Sequence, residues 1–511
     1  MIRFRKFIQA FFFLFFIYLF VKARFPLSAW PPSDIFLRST PLFPIFDCIA
    51  NLGFSIIMLP GLILWLLTVI GGRFFCGWIC PLGSTLDLAD GFLSHSIKYD
   101  ETVVRALKSI KFIILFGSFI AAFFSMNIWG YFDPISIMNR VVTIVWYPLA
   151  TLLIGTTITA FSKIPFLSGF TTFLRGYFKK FIMPEDQGYF LLTGATAIFF
   201  LIILCLGVFS RRFWCRNLCP AGAFLGLISS ISLFERKVDD TCVDCGRCSR
   251  ECKMDAIAET DIKRTRKNDC IICCECTIMC PTDIRAQKFN MLIPPSRTSP
   301  DFSRRRFMQT TLGAMLITGL GKIGMTDRGN TARLIRPPGS LPDERFLEKC
   351  IRCQECVRIC VSNGRCLQPD GIEHGIDGLW APKALMRSGY CEFNCNLCGQ
   401  ICPTGAIKKI SLKEKQKFRM GMAYFDKNIC IPYARNADCL VCEEHCPISE
   451  KAIQIEVKEI MLPDGSKRSI KYPYIVPDRC IGCGICEFKC PLPGNPGISV
   501  HNNRSPKGVS D

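Results

Sequence analysis

Six times along the 511 residues, cysteines recur as C-x-x-C-x-x-C-x-x-x-C or a close variant, and this pattern constrains the fold more than any other feature. Cys242, Cys245, Cys248 and Cys252 are followed by Cys270, Cys273, Cys276 and Cys280, with Pro281 directly after. This is the bacterial two-cluster spacing, in which three thiolates on a tight loop hold three irons of one cube and the fourth caps the neighbouring cube. Ligation therefore crosses: Cys252 is expected to serve the second cluster and Cys280 the first. The carboxy-terminal part repeats the logic twice. Cys350, Cys353, Cys356 and Cys360 pair with Cys391, Cys395, Cys398 and Cys402, whose first gap is one residue longer. Cys430, Cys439, Cys442 and Cys446 pair with Cys480, Cys483, Cys486 and Cys490, with an insertion after Cys430. Longer gaps are tolerable because loop length adds little closure entropy once metal ligation fixes both ends. The expectation is six [4Fe-4S] clusters on these 24 of the 32 cysteines.

Competing uses of cysteine fit less well. A disulfide scaffold belongs to short secreted chains. Zinc closes with four ligands in paired C-x-x-C knuckles and gives no reason for a triplet plus a crossover. No C-x-x-C-H occurs and there are only four histidines, so no covalent c-type haem is expected. Cys274 has no ligand role in this spacing. Cys48, Cys205 and Cys366 fit no run, and the first two sit in or near apolar segments, where a thiol is usually a small hydrophobe.

With 50% hydrophobic residues and a mean hydropathy of +0.28, the chain is too apolar for an ordinary soluble protein. Segments at 7–21, 43–70, 110–128 and 189–209 are each long enough to cross a hydrocarbon core. The first follows a basic amino end without a small-residue cleavage site and reads as a retained anchor. A fifth, VVTIVWYPLATLLIGTTITAF at 141–161, would upset the parity, so 141–183 is read as a re-entrant or interfacial excursion. The formal charge of +20 comes from Lys and Arg placed largely beside these segments (Arg3, Arg5, Lys6, Arg73, Arg211, Arg212). That is the positive-inside pattern, not a basic and aromatic stripe for nucleic acid.

After Asp239 the sequence turns polar. A proline-bearing linker then leads to SRRRFMQTTLGAMLITGLGKIGM at 303–325, which has the form of an internal twin-arginine export signal with its arginines inside. The expected organisation is a transmembrane domain at 1–235, a cytoplasmic two-cluster ferredoxin at 236–294, a linker and signal-anchor helix at 295–326, and an exported four-cluster polyferredoxin at 327–511. The fold class is thus a membrane α-helical bundle plus α+β bacterial ferredoxin-like domains.

Two shorter motifs, RFFCGWICPLGSTL at 73–86 and RFWCRNLCPAGAFL at 212–225, form an internal repeat. Their cysteines, Cys76 and Cys80, Cys215 and Cys219, lie four apart, which suits one face of a helix. Close packing would bring four thiols to one point as a redox or metal site, with the ionised form favoured by Arg73, Arg211 and Arg212. The alternative is four small buried residues, with Pro81 and Pro220 ending or kinking helices.

At these residues a family becomes visible. The first 290 residues resemble the NapH-type membrane quinol dehydrogenase subunit, which carries two CxxxCP motifs at membrane helices and a two-cluster cytoplasmic ferredoxin. The remainder, with SRRRFM, RLIRPPGSLPDERFLEKCIRCQEC and the later runs, resembles the exported NapG or MauM type of polyferredoxin. The resemblance implies that quinol is oxidised at the inner membrane and that electrons leave through clusters to a periplasmic reductase or cytochrome. The two halves are normally separate chains, which leaves the terminal partner open. Cluster potentials span roughly −700 to +450 mV, so quinone reduction by a low-potential donor stays open as well; related CxxxCP proteins also act in oxidase maturation. The TGAT at 193–196 resembles a covalent flavin acceptor, but small-residue helix packing explains it and no flavin is expected. Asp133, Pro134 and Arg140 are candidates for the quinone, set against a capping and anchoring role.

Overall fold

Residues 2–22, free of Gly and Pro and apolar from Ala10 to Val21, form one unbroken helix, Ile2–Lys22. The computed structural model describes residues 2–291 except 28–29, 52, 94–100, 165, 167, 182–188, 259–260 and 282–286; then 308, 311–313 and 315; then 334–502 except 462–466. The twin-arginine segment lies almost wholly outside the described residues.

Among the described residues three helices are long and apolar enough to cross a bilayer: Ile2–Lys22, Ala106–Phe123 and Pro134–Phe161. The expected segment 43–70 is instead broken. Its first part is the helix Phe43–Asn51; Ser55, whose hydroxyl accepts from the Ile57 amide, then starts a tight turn into Leu59–Gly71, with Pro60 in the first turn of the helix. Segment 189–209 likewise forms a shorter apolar helix, Thr193–Val208. The stretch read as an excursion begins inside the continuous 134–161 helix. A π-helical turn at Val142–Trp146 precedes Pro148 and absorbs the missing N–H that a proline imposes. Arg140 and Tyr147, two turns apart, both touch the second cysteine-rich region, through Arg352 and Arg358, so the first half of this helix lies against that region.

The two cysteine-rich regions sit at opposite ends of the first helix. At its amino end Arg5 pairs with Glu275 at 2.7 Å; beyond its carboxyl end Ala23 packs with Ile359, Leu397 and Ile401. The first region closes on the antiparallel pair Phe234–Val238 and Gln287–Met291. The second contains three antiparallel pairs: Leu367–Pro369 with Pro382–Ala384, Met422–Phe425 with Ile498–His501, and the long hairpin Ile453–Met461 with Lys467–Ile475.

Both regions dock on the helical layer through the same loop, Cys-Ile-x-Cys. In the first, the Trp78 indole donates to the Ile272 carbonyl at 3.0 Å, Arg73 donates to the Asn268 carbonyl at 2.8 Å, and Lys111 pairs with Asp269 at 2.7 Å. In the second, Asn139 donates to the Cys353 carbonyl at 2.8 Å and Arg140 to the Arg352 carbonyl at 3.1 Å, while Arg352 returns a bond to the Asn127 carbonyl at 2.8 Å. A glycine receives each loop: Gly77 faces Ile271 and Gly130 faces Ile351. A Cβ on Gly130 would lie 2.9 Å from the Ile351 Cα and carbonyl oxygen, backbone that cannot swing aside. Gly130→Val is expected to weaken docking by about 1–3 kcal/mol. Limited proteolysis of the second region in the intact chain measures this, with Gly169→Val, which meets nothing within 4 Å, as the neutral control.

Candidate iron–sulfur centres

The triplet loops owe their shape to alternating backbone handedness. The second and fourth residues after the leading cysteine have positive φ in each regular run: Asp244 and Gly246, Ile272 and Cys274, Arg352 and Gln354, Gly482 and Gly484. Such alternation turns successive amide N–H groups into one concavity, which suits an anionic group. A short helix follows each loop, for example Glu275–Ile278 and Glu355–Cys360. The two runs with altered spacing depart from this pattern; Cys430 instead starts the helix Ile431–Arg435, which ends at left-handed Asn436.

Three cavities each gather four sulfurs, a triplet plus one cysteine from the partner run. One is lined by Cys350, Cys353, Cys356 and Cys402. A second has Cys430, Cys439, Cys442 and Cys490. The third has Cys252, Cys270, Cys273 and Cys276, with Cys274 beside them. Elsewhere Cys398 lies beside Cys391, Cys395 and Cys360, Cys483 beside Cys480 and Cys446, and Cys248 beside Cys242. Among the described residues no three cysteine sulfurs fall within 4.8 Å of one another. Around one zinc at 2.3 Å, sulfurs would be about 3.8 Å apart. The groups therefore suit a polynuclear cluster better than a single ion. Burial pushes the thiols up, Cys276, Cys442 and Cys483 to about 12 and Cys430 to about 11, so ligation must expel their protons.

The groups in the second region follow one another. The Cys350 group is the one at the docking face, and Cys356 and Cys360 share a helix. The Cys391 amide donates to the Cys483 carbonyl at 2.8 Å, joining the two halves of the region. Cys366, which fits no run, is buried with its sulfur 4.0 Å from that of Cys360. No spacing rule points to it.

The two C-x-x-x-C-P motifs do come together. Cys80 senses Cys76 and Cys215, and Cys219 senses Cys215, Cys76 and Cys80. The pairs do not share a helix face, however. Cys76 lies on the short helix Phe74–Trp78, while Cys80 is extended (φ −60°, ψ 120°) and caps Pro81–Ala89, because a residue before proline is driven out of the helical region. Cys219 caps Pro220–Ser229 likewise, its sulfur accepting from the Gly222 amide at 3.2 Å. Nor is ionisation favoured: burial outweighs the arginines and pushes Cys80 and Cys219 up strongly and Cys215 to about 11. Arg211 points away, to Glu251 at 2.7 Å.

Asp133 caps its helix through the Ser136 amide at 2.8 Å, and Arg140 is used in docking, so both have the capping and anchoring role. In the TGAT segment, Thr193 donates to the Ile144 carbonyl and Thr196 accepts the Trp380 indole N–H at 3.0 Å, which are packing contacts.

Comparison with known proteins points to 4Fe-4S binding. A family model described as a 4Fe-4S binding domain matches residues 52–99 and 192–239, and another of the same description matches 473–492. Over 206 residues the chain is 33% identical to the methylamine utilization ferredoxin-type protein MauM of Methylorubrum extorquens, a match covering 39% of this chain and 88% of that protein. The chain belongs to the MauM/NapG family of ferredoxin-type proteins. It is an iron–sulfur electron-transfer protein with 4Fe-4S ferredoxin domains. The NapG protein of Escherichia coli K12 is 31% identical over 210 residues, 39% of this chain and 86% of NapG. A putative electron transport protein of the same organism, YccM, is 24% identical over 213 residues, 48% of its length. No solved structure matches the chain.

Proposed function

We propose that this MauM/NapG-family chain is a membrane-anchored quinol dehydrogenase subunit that carries electrons from the quinol pool to a periplasmic reductase or cytochrome. The supporting observation is the placement of two cysteine-rich regions at opposite ends of one layer of apolar helices, each docked by its Cys-Ile-x-Cys loop. The reading places the amino-terminal NapH-like part in the inner membrane, the 236–294 region in the cytoplasm and the region after residue 326 in the periplasm. The arginine-rich amino end and Arg73 lie on the side of the first region, in keeping with the charge bias.

Quinol releases two protons and two electrons as it becomes quinone, and the electrons leave singly. Six [4Fe-4S] clusters on the 24 run cysteines would supply the one-electron carriers. The protein's part is to space them, to exclude water and to set their potentials through burial and backbone N–H groups. Anaerobically purified chain titrated with a quinol analogue should show cluster reduction by EPR. Clusters that stay oxidised with quinol, even with an electron acceptor present, yet accept electrons from dithionite would overturn quinol oxidation.

A further inference from the structure

Neither half of the internal repeat has enough ligands for a cluster of its own. The matched segment 52–99 contains only Cys76 and Cys80, and in 192–239 Cys215 and Cys219 are joined only by Cys205, which is exposed at the carboxyl end of its helix. The fold makes up the shortage by pairing the halves. We propose that Cys76, Cys80, Cys215 and Cys219 jointly hold one [4Fe-4S] cluster, a seventh centre shared between the two repeats and flanked by Arg73 and Arg212.

The arginines carry the argument. Both are fully buried, and each reaches into the opposite repeat. Arg212 donates to the Cys76 carbonyl at 2.8 Å, to the Gly83 carbonyl at 2.9 Å and to Asp87. Arg73 lies against Gly222, where a Cβ would stand 2.8 Å from its Nη2 and 3.5 Å from the Cys219 sulfur. Gly83, the matching residue of the first repeat, faces Arg212 in the same way, a Cβ there coming within 3.5 Å of its Nη2. The two guanidiniums thus reach reciprocally across the two repeats.

Their partners differ. Arg212 pairs with the Asp87 carboxylate, whereas Arg73 donates to the Asn268 carbonyl and lies near Cys76, Cys219 and Asp269, with its Nε and Nη2 buried and making no geometric hydrogen bond. Burying such charged donors without an acceptor is unfavourable, and an anion in the site would relieve it. Four thiolates around an oxidised cubane carry two net negative charges, which would give the buried Arg73 donors an anion to face. Two disulfides would be neutral and leave the Arg73 Nε and Nη2 without an acceptor. A single zinc would need sulfurs closer than any three lie here.

This extends the electron-transfer reading of the same thiols, but its test needs no quinol. Metal analysis and Mössbauer spectroscopy of the anaerobic full-length protein should give about 28 iron atoms per chain, seven cubes, against about 24 for the runs alone. The double variants Cys76→Ala/Cys80→Ala and Cys215→Ala/Cys219→Ala should each lose about four irons, and the quadruple variant about four in all, because both halves serve one cluster. Cys205→Ala should lose none. Wild-type iron near 24, zinc in place of the missing iron, or a loss that doubles in the quadruple variant would overturn the proposal. The wild-type value decides even if a variant fails to fold, and a failure of quinol to reduce the protein would leave the iron count untouched.

Discussion

Cys76→Ser and Cys215→Ser are each expected to abolish quinol-dependent reduction of the ferredoxin clusters, while membrane insertion and the signals of the six run-derived clusters remain. The four thiols lie where the helical layer meets the first region. Cys273 of that region acts on Arg212, and Trp78, between Cys76 and Cys80, bonds the loop that Cys273 ends. Toward the second region, Trp214 contacts Phe199 (ring centres 6.3 Å apart), and Phe199 contacts Trp380 (5.4 Å) beside the docking loop. Both routes begin at this site, so one lost ligand should stop flow to both regions. Stopped-flow absorbance with a quinol analogue, beside EPR of dithionite-reduced samples, separates lost transfer from lost clusters. Full transfer in both variants would mean that the cysteines are structural and that quinol reaches the clusters by another route.

Cys402→Ala should have the second large effect. It is expected to remove the cluster of Cys350, Cys353 and Cys356, not that of its own sequence neighbours Cys391, Cys395 and Cys398, because it is Cys402 that shares the cavity with the first triplet. About four irons should be lost. Since this is the group at the docking face, quinol should no longer reduce any cluster beyond it. Loss of the Cys391, Cys395 and Cys398 signal would refute crossed ligation. Cys280→Ala should likewise damage the cluster of Cys242, Cys245 and Cys248.

The docked first region also makes a pH prediction. Asp269 is buried against Lys111 and Lys108, and these cations hold its carboxyl well below the usual carboxylate range. A depressed folded-state pKa adds stability that is fully present above the unfolded value of about 3.9 and is lost as pH falls below it. Lys111→Met breaks the buried pair and should cost about 3–5 kcal/mol at neutral pH. Chemical denaturation followed by cluster absorbance would measure it, and an unchanged midpoint would show that the pair contributes nothing to docking.

The cysteine spacing was the most legible feature because ligand geometry is local: three sulfurs on one loop impose alternating handedness wherever the spacing is regular. The internal repeat was legible as well, but its geometry was not. Proline forces Cys80 and Cys219 out of helical conformation, and burial, which no spacing reports, decides their ionisation. The break of segment 43–70 at Ser55 and Pro60 was hidden because hydropathy averages over caps and turns. Contacts distant in sequence had no local signal at all: Cys366 beside Cys360, Gly130 beneath Ile351, and the exchange of Arg73 and Arg212 between repeats.

The central claim is an electron path that links ferredoxin regions on opposite faces of a membrane, and sidedness tests it most directly. Protease added to intact spheroplasts, with fragments mapped by mass spectrometry, is expected to cut after Thr326 and to spare Asp239–Pro294. Cleavage of both regions, or protection of both, would place them on one face and contradict the account.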